Sequence, residues 1–294
     1  MLLAVLLFCA ALQTDASQIR SIRSRPWALL SATLAVWIAP AILVLLAAWT
    51  LPLVVDEQAN SELLVGLALV ASMPVANSSV GWTQLVRGNL ALSLSLVLVT
   101  IFLSPWITPA LLSSLRFTLS AADRSHFTAL IDSFSGAFFI IWVVLPTVAG
   151  LACRHSLGGE RVSGLGGWLT TISVLCLLAL NYVNAALAFP EVVQQSQYAT
   201  LCATIAFALA VSAVGLAAGS ILARLLHEDS PTRLALMFGL SMKHTGLALI
   251  LAGAVLAEER LAILMIVLAT LAQHLLAGLV QWRTAPDLSS RESP

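Results

Sequence analysis

Charge is what this chain has least of. Only 10% of its 294 residues are Asp, Glu, Lys or Arg, while 60% are hydrophobic. Soluble domains carry about 25% charged residues, so a water-soluble globule does not fit. Nor does a disordered chain, which needs low hydrophobicity and high charge. A basic excess is also missing, with fourteen Lys+Arg against fourteen Asp+Glu. That leaves no electrostatic footprint for nucleic acid. Cysteines are few, and Cys9, Cys153, Cys176 and Cys202 lie in or beside apolar runs with no CxxC pair. They read as inert thiols rather than a disulfide framework. No HExxH, no GxSxG and no paired carboxylates interrupt the apolar runs. An enzyme is therefore not expected, nor a cofactor.

Long apolar runs are what the chain does have. A helix crossing the ~30 Å hydrocarbon core needs about 20 mostly apolar residues. Eight stretches qualify, some with polar breaks: 28–54, 63–80, 89–113, 128–153, 166–189, 197–224, 233–256 and 260–281. A ninth, Leu2 to Leu12, would make only roughly 16 Å of helix at 1.5 Å per residue. It reads as a signal peptide, as a short span completed by neighbours, or as a longer span cut by the chain start. The first lacks a basic n-region and has a poor lipobox-like end at Phe8-Cys9; the last is preferred. The chain is thus expected to be an all-α, multi-pass membrane protein of about nine transmembrane helices, whose obligatory partner is the lipid bilayer.

Arginines set the expected orientation through the positive-inside rule. With the connection 13–27 (Arg20, Arg23, Arg25) placed in the cytoplasm, alternation brings Arg87, Arg154, Arg161, Arg224, Arg233, Arg283 and Arg291 inside as well. Only Arg116, Arg124 and Arg260 fall outside. The N-terminus is then external and the tail cytoplasmic, in a bacterial-type inner or plasma membrane. Tryptophans 27, 37, 49, 82, 106, 142, 168 and 282 mostly fall near span ends, as an aromatic belt would. Trp37 and Trp142 lie deeper.

Polar residues inside spans are costly and usually face a bundle interior or cavity. Here they concentrate in two places. One runs from Ser72-Met-Pro74 through Asn77, Ser78, Ser79, Gly81 and Thr83 to Gln84. The other is Gly239-Leu-Ser-Met-Lys243-His244-Thr245-Gly246. Each contains helix breakers, read as Pro74 with Gly81 and Gly239 with Gly246. Freed backbone groups are tolerated at membrane depth only where protein or a wet cavity satisfies them. The triplets 28–54, 63–80, 89–113 and 197–224, 233–256, 260–281 run in opposite directions, each with a broken middle helix. That pattern predicts an inverted-repeat secondary transporter with two discontinuous crossing helices and its site near the midplane.

At these residues the chain resembles the bile acid:sodium symporter family. The resemblance is carried by Gly66-Leu-Ala-Leu-Val-Ala-Ser-Met-Pro74, Arg87-Gly88-Asn89-Leu-Ala-Leu-Ser93, Leu103-Ser-Pro105-Trp-Ile-Thr-Pro109 and Met242-Lys-His-Thr-Gly246-Leu-Ala-Leu. It implies a core domain (28–113 and 190–283), a panel domain (1–27 and 114–189) and a tail, 284–294. It also implies alternating access and a small amphipathic organic anion as substrate. Oligomeric state is not implied. The alternative is a transport-inactive or sensory paralogue of the same fold.

The family's sodium ligands are eroded here. The Ser-Asn pair of the first crossing becomes Ser79-Val80, and the next Ser and Thr become Ser93 and Val97. The bridging glutamate falls at Gly239, a glutamine at Lys243, and another near Ala35 ahead of Pro40. Sodium wants oxygen ligands. A Na⁺ ~4 Å from an ammonium is repelled by about 4 kcal/mol at an effective dielectric of 20. Sodium binding is therefore in doubt, and a proton is the alternative coupling ion. Ser79, Ser93 and Lys243 are read as the remnant of the cation site, with Lys243 bonding crossover carbonyls and Ser79, Ser93 or Thr245. Three roles stay open for Lys243: a fixed charge tying the crossing together, a proton carrier, or a partner of an anionic substrate. Asn77, Ser78, Thr83, His244, Thr245, Asn181 and Asn184 are candidates to line the cavity. His244 reads as a proton relay or a packing residue, and Gln273 and His274 as interhelical hydrogen-bonders. Asp132 reads as an interfacial residue.

Overall fold

A computed structural model describes residues 2–13, 26–115, 128, 130–132, 141, 145–158, 161–162, 164–169, 171–172, 175–176, 178–179, 182–183, 186 and 198–289. Trp142, Asn181, Asn184 and the arginines of 14–25 lie outside this set. The described elements are nearly all helical. They are α1 (Leu2–Gln13), α2 (Pro26–Thr50, continued by a 3-10 turn Leu51–Leu53), α3 (Glu57–Ser72), α4 (Ser78–Leu85), α5 (Leu90–Leu115), α6 (Leu145–Leu157), α7 (Tyr198–Leu225), α8 (Ser230–Ser241), α9 (Thr245–Val255) and α10 (Arg260–Ser289).

Among the described residues, four helical stretches are long and apolar enough to cross a membrane: Pro26–Leu53, Leu90–Leu115, Tyr198–Leu225 and Arg260–Thr284. In the first of them a row of large residues faces outward and small ones face inward, the reverse of a soluble helix. On α2 the large residues Leu30, Leu34, Ile38, Ile42 and Leu45 are exposed, while Ala28, Ala32, Val36, Val44 and Ala47 are buried. Lipid is as apolar as leucine, so helices associate through small residues that let backbones approach. Trp27 and Trp49, both strongly exposed, stand about 33 Å apart along α2 at 1.5 Å per residue. That matches the hydrocarbon thickness with its aromatic borders.

Glycines make the closest approaches. A Cβ on Gly215 of α7 would lie 2.4 Å from the Leu240 carbonyl oxygen of α8, and one on Gly219 would lie 2.5 Å from that of Leu236. Gly66 of α3 meets the Ala262 backbone of α10 in the same way, at 2.7 Å. Gly150 of α6 meets the Phe8 carbonyl of α1, at 2.6 Å. The Arg154 guanidinium of α6 also donates to Leu12 O at the end of α1 (3.0 Å).

The two polar stretches are breaks, but the glycines do not make them. Gly81, Gly239 and Gly246 lie inside α4, α8 and α9. The helical path stops at Met73–Asn77 and at Met242–His244. At the first break Pro74 supplies no N–H, which frees the Val70 carbonyl for Met73 N–H (3.2 Å). The second break has no proline, and its cause is tertiary. Both broken helices begin on an aspartate that caps them. Asp56 accepts from Ala59 N–H (2.9 Å) and Asp229 from Thr232 N–H (3.0 Å).

Each broken helix is anchored at its start by the neighbour of the other one. Glu62 of α3 accepts from Leu261 N–H at the start of α10 (2.8 Å). At the start of α5, Asn89 N–H donates to Pro231 O at the start of α8 (2.9 Å), and its side-chain amide donates to Thr232 Oγ1 (3.2 Å). Thus α3 starts beside α10 and α8 starts beside α5, and the two broken helices enter the centre from opposite ends.

Candidate functional site

At the centre the two breaks pair. Val75 and Lys243 form an antiparallel bridge. Ala76 N–H donates to Met242 O (3.0 Å), and His244 N–H donates to Pro74 O (2.9 Å). The two bridging residues point their own N–H groups away from each other, and a side chain from the following long helix accepts each one. Thr100 Oγ1 of α5 accepts from Val75 N–H (3.1 Å), and Gln273 Oε1 of α10 accepts from Lys243 N–H (3.0 Å). This is why the second helix breaks without proline. The strand-like bridge and Gln273 take over the bonds a helix would have made.

The end of α3 leaves carbonyls that its own helix cannot satisfy. Ser72 O accepts from Trp37 Nε1 of α2 (3.0 Å) and from Thr108 Oγ1 of α5 (2.7 Å). Trp37, deep in its span, thereby ties α2 to the break. Because two donors share one acceptor, Trp37→Phe and Thr108→Val should each cost about 1 kcal/mol of stability, the second donor compensating in part. Together they should cost about 1–2 kcal/mol more than their sum. Detergent unfolding of both single variants and the double variant measures that coupling.

Lys243 takes the remaining carbonyls. The residue is 2% exposed. Its ammonium donates to Val36 O of α2, to Ala71 O (3.3 Å) and to Met73 O (3.3 Å). These are backbone oxygens, not the hydroxyls of Ser79, Ser93 or Thr245. The Lys243 stem leads toward α2 and the end of α3, whereas those serines gather elsewhere.

Ser79, Thr83 and Ser93 form a separate buried hydroxyl cluster between α4 and α5. Ser79 Oγ and Ser93 Oγ lie 3.5 Å apart. Thr83 Oγ1 sits 2.7 Å from Ser79 O and 3.3 Å from Ser93 Oγ. Asn77 is half-buried at the start of α4 and makes no capping bond with its side chain. Ser78 Oγ, also half-buried, contacts Met242 Sδ (3.6 Å). His244 is buried and caps α9, its Nδ1 accepting from Leu247 N–H (3.2 Å). Thr245 Oγ1 accepts from Gln273 Nε2 (3.4 Å). His274 Nδ1 accepts from Trp82 Nε1 (3.2 Å), and Trp82 also stacks on Phe238. Asp132 is exposed.

Sequence reasoning left Thr100, Thr108 and the role of Trp37 unassigned. A signal for the threonines was present. Ser93, Thr100, Ser104 and Thr108 share one face of α5 at helical spacing, and all are buried. Among the described residues no group of three or more His, Cys, Asp or Glu side chains could hold a metal ion.

Long apolar spans, one with a row of large residues facing outward, packed with two broken helices joined by buried polar groups, define an integral, multi-pass membrane protein with a polar centre. The family comparison makes the class specific. The Sodium Bile acid symporter family model matches residues 1–195, two thirds of the chain, and the chain belongs to that family. The second crossing lies beyond the matched stretch. Among curated relatives, an uncharacterized protein YbaS of Bacillus subtilis (strain 168) is 28% identical over 195 residues, which is 66% of this chain and 58% of that protein. An uncharacterized sodium-dependent transporter YocS of the same organism is 24% identical over 254 residues, covering 86% of this chain and 72% of that protein. The chain therefore spans less than two thirds of YbaS in the match.

Proposed function

We propose that the chain is a secondary transporter that moves a small organic anion by alternating access, with its sodium sites largely lost. In this reading the core is an inverted repeat (28–113 and 190–283), which moves against a panel (1–27 and 114–189). About nine spans cross the membrane, with the N-terminus outside and the C-terminus in the cytoplasm. The observation that carries it is the antiparallel bridge between Val75 and Lys243. Two broken helices arriving from opposite ends and pairing at their breaks suit the fixed midplane site of such transporters. The starts of α4 and α9 carry partial positive charge there, which favours an anion. Asn77, Ser78, His244 and Thr245 stand at those two starts.

Loss of the sodium sites is supported by Gly239 where the family has a bridging glutamate, and by the ammonium of Lys243 nearby. Flux into proteoliposomes tests both parts. A panel of labelled amphipathic anions (a bile acid, a steroid sulfate, a 2-keto acid) is offered with Na⁺ or with choline as the external cation. At least one should enter, at rates equal within about twofold in the two salts. Strict Na⁺ dependence would overturn the sodium part. Erosion of the ligand set favours a second reading, a transport-inactive or sensory paralogue. Binding of an anion with no flux for any member of the panel would select it.

A further inference from the structure

We propose that the carbonyls of Val36, Ala71 and Met73 form a monovalent-cation cage, which the chain fills permanently with its own Lys243 ammonium. The inference deepens the reading above and rests on it for what the cage does in transport.

All three oxygens are orphans of the backbone. Val36 O would bond the N–H of residue 40 in an unbroken helix, but that residue is Pro40. Ala71 O would bond Val75 N–H, which goes to Thr100 instead. Met73 O lies past the last turn of α3. The end of a helix carries partial negative charge, and two of the three oxygens belong to the end of α3. Hard oxygen donors around a buried point are what a small cation seeks.

An ammonium has three donors and no acceptor. Here all three are used, one on each carbonyl. None remains for a substrate carboxylate, so the arrangement does not suit direct pairing with an anion. The carbonyls sit on α2 and α3, while the ammonium comes from the break after α8, up to 207 residues away. One charge thus clamps three elements at the crossing. Because it is tethered, it cannot leave to either side of the membrane. The cage then holds one positive charge through any cycle and moves no soluble cation.

The test uses purified full-length protein and no substrate. Thermal midpoints of wild type, Lys243→Ala and Lys243→Met are read in choline, sodium, potassium and methylammonium chloride at equal ionic strength. Wild type should show one midpoint in all four salts. Lys243→Ala should start lower and recover by about 2–3 °C at ten times the dissociation constant of a small cation, with choline too bulky to enter. Lys243→Met fills the same path without charge and should stay low in every salt. The proposal is overturned if the alanine variant responds no more than the methionine variant, or if wild type rises as much as the alanine variant.

A second measurement needs no variant. Lys243 is the chain's only lysine, so ¹⁵N-lysine labelling gives a single Nζ resonance. It should carry the shift of a charged ammonium with slowly exchanging protons, the same in sodium and choline salts. A neutral-amine signal at pH 7 would overturn the proposal. Absence of flux would sink the transport reading while leaving these measurements intact. A salt-independent alanine variant with normal flux would do the reverse.

Discussion

Gly215→Ala should destabilise this protein by about 2 kcal/mol, although a single methyl group is all that is added. The new Cβ would lie 2.4 Å from Leu240 O and 2.5 Å from Ser241 Cα, both backbone atoms of α8. No rotamer change relieves that clash, so α7 must move off α8 at the level of the second break. Overpacking of this kind costs about 1–3 kcal/mol and occasionally more. Alanine's better helix propensity returns only ~1 kcal/mol. Gly219→Ala, facing Leu236 O at 2.5 Å, should behave alike. Gly81 is the control, because it sits in α4 with nothing within 4 Å of its would-be Cβ. Gly81→Ala should be neutral or gain up to ~1 kcal/mol. Detergent unfolding of the three variants separates the cases. Equal effects at 215 and 81 would mean that α7 and α8 do not meet as closely as described.

Gln273→Leu and Thr100→Val should each cost about 1–3 kcal/mol, through one shared mechanism. Each removes the acceptor of a buried bridge N–H, that of Lys243 or that of Val75. Leucine at 273 also removes the donor to Thr245 Oγ1, so it should be the worse of the two. Thr204→Val is the matched control. The Thr204 hydroxyl bonds only the Thr200 carbonyl of its own helix. That carbonyl keeps its helical partner, so the change should stay within about 0.5 kcal/mol. If Thr100→Val proved as mild as Thr204→Val, the bridge would not depend on side-chain acceptors. The two crossing variants should also lower flux more than the glycine variants do for the same loss of stability, since they loosen the centre itself.

Much of the scaffold could be read along the chain. Expected runs at 89–113, 197–224 and 260–281 correspond to α5, α7 and the apolar part of α10. The two interruptions fell where polar residues and Pro74 enter apolar sequence. The cause of the second break could not be read, because Gly239 and Gly246 looked like breakers and are ordinary helical residues. Its cause is Gln273, thirty positions away, and no local pattern encodes such a bond. Trp37 had no readable role for the same reason. Its indole is spent on a carbonyl thirty-five residues on.

Composition and local chemistry alone determined that the chain lives in lipid, where its apolar helices run, and where two of them break. Those properties follow from transfer free energy and from a missing N–H, both of which a short stretch of sequence carries. Only the tertiary structure decided what the breaks do to each other. It paired Val75 with Lys243, drew the serines into a separate cluster, and sent the ammonium to the carbonyls of Val36, Ala71 and Met73. A buried donor must find an acceptor wherever the fold brings one, and here the fold brought them from helices far apart in the chain.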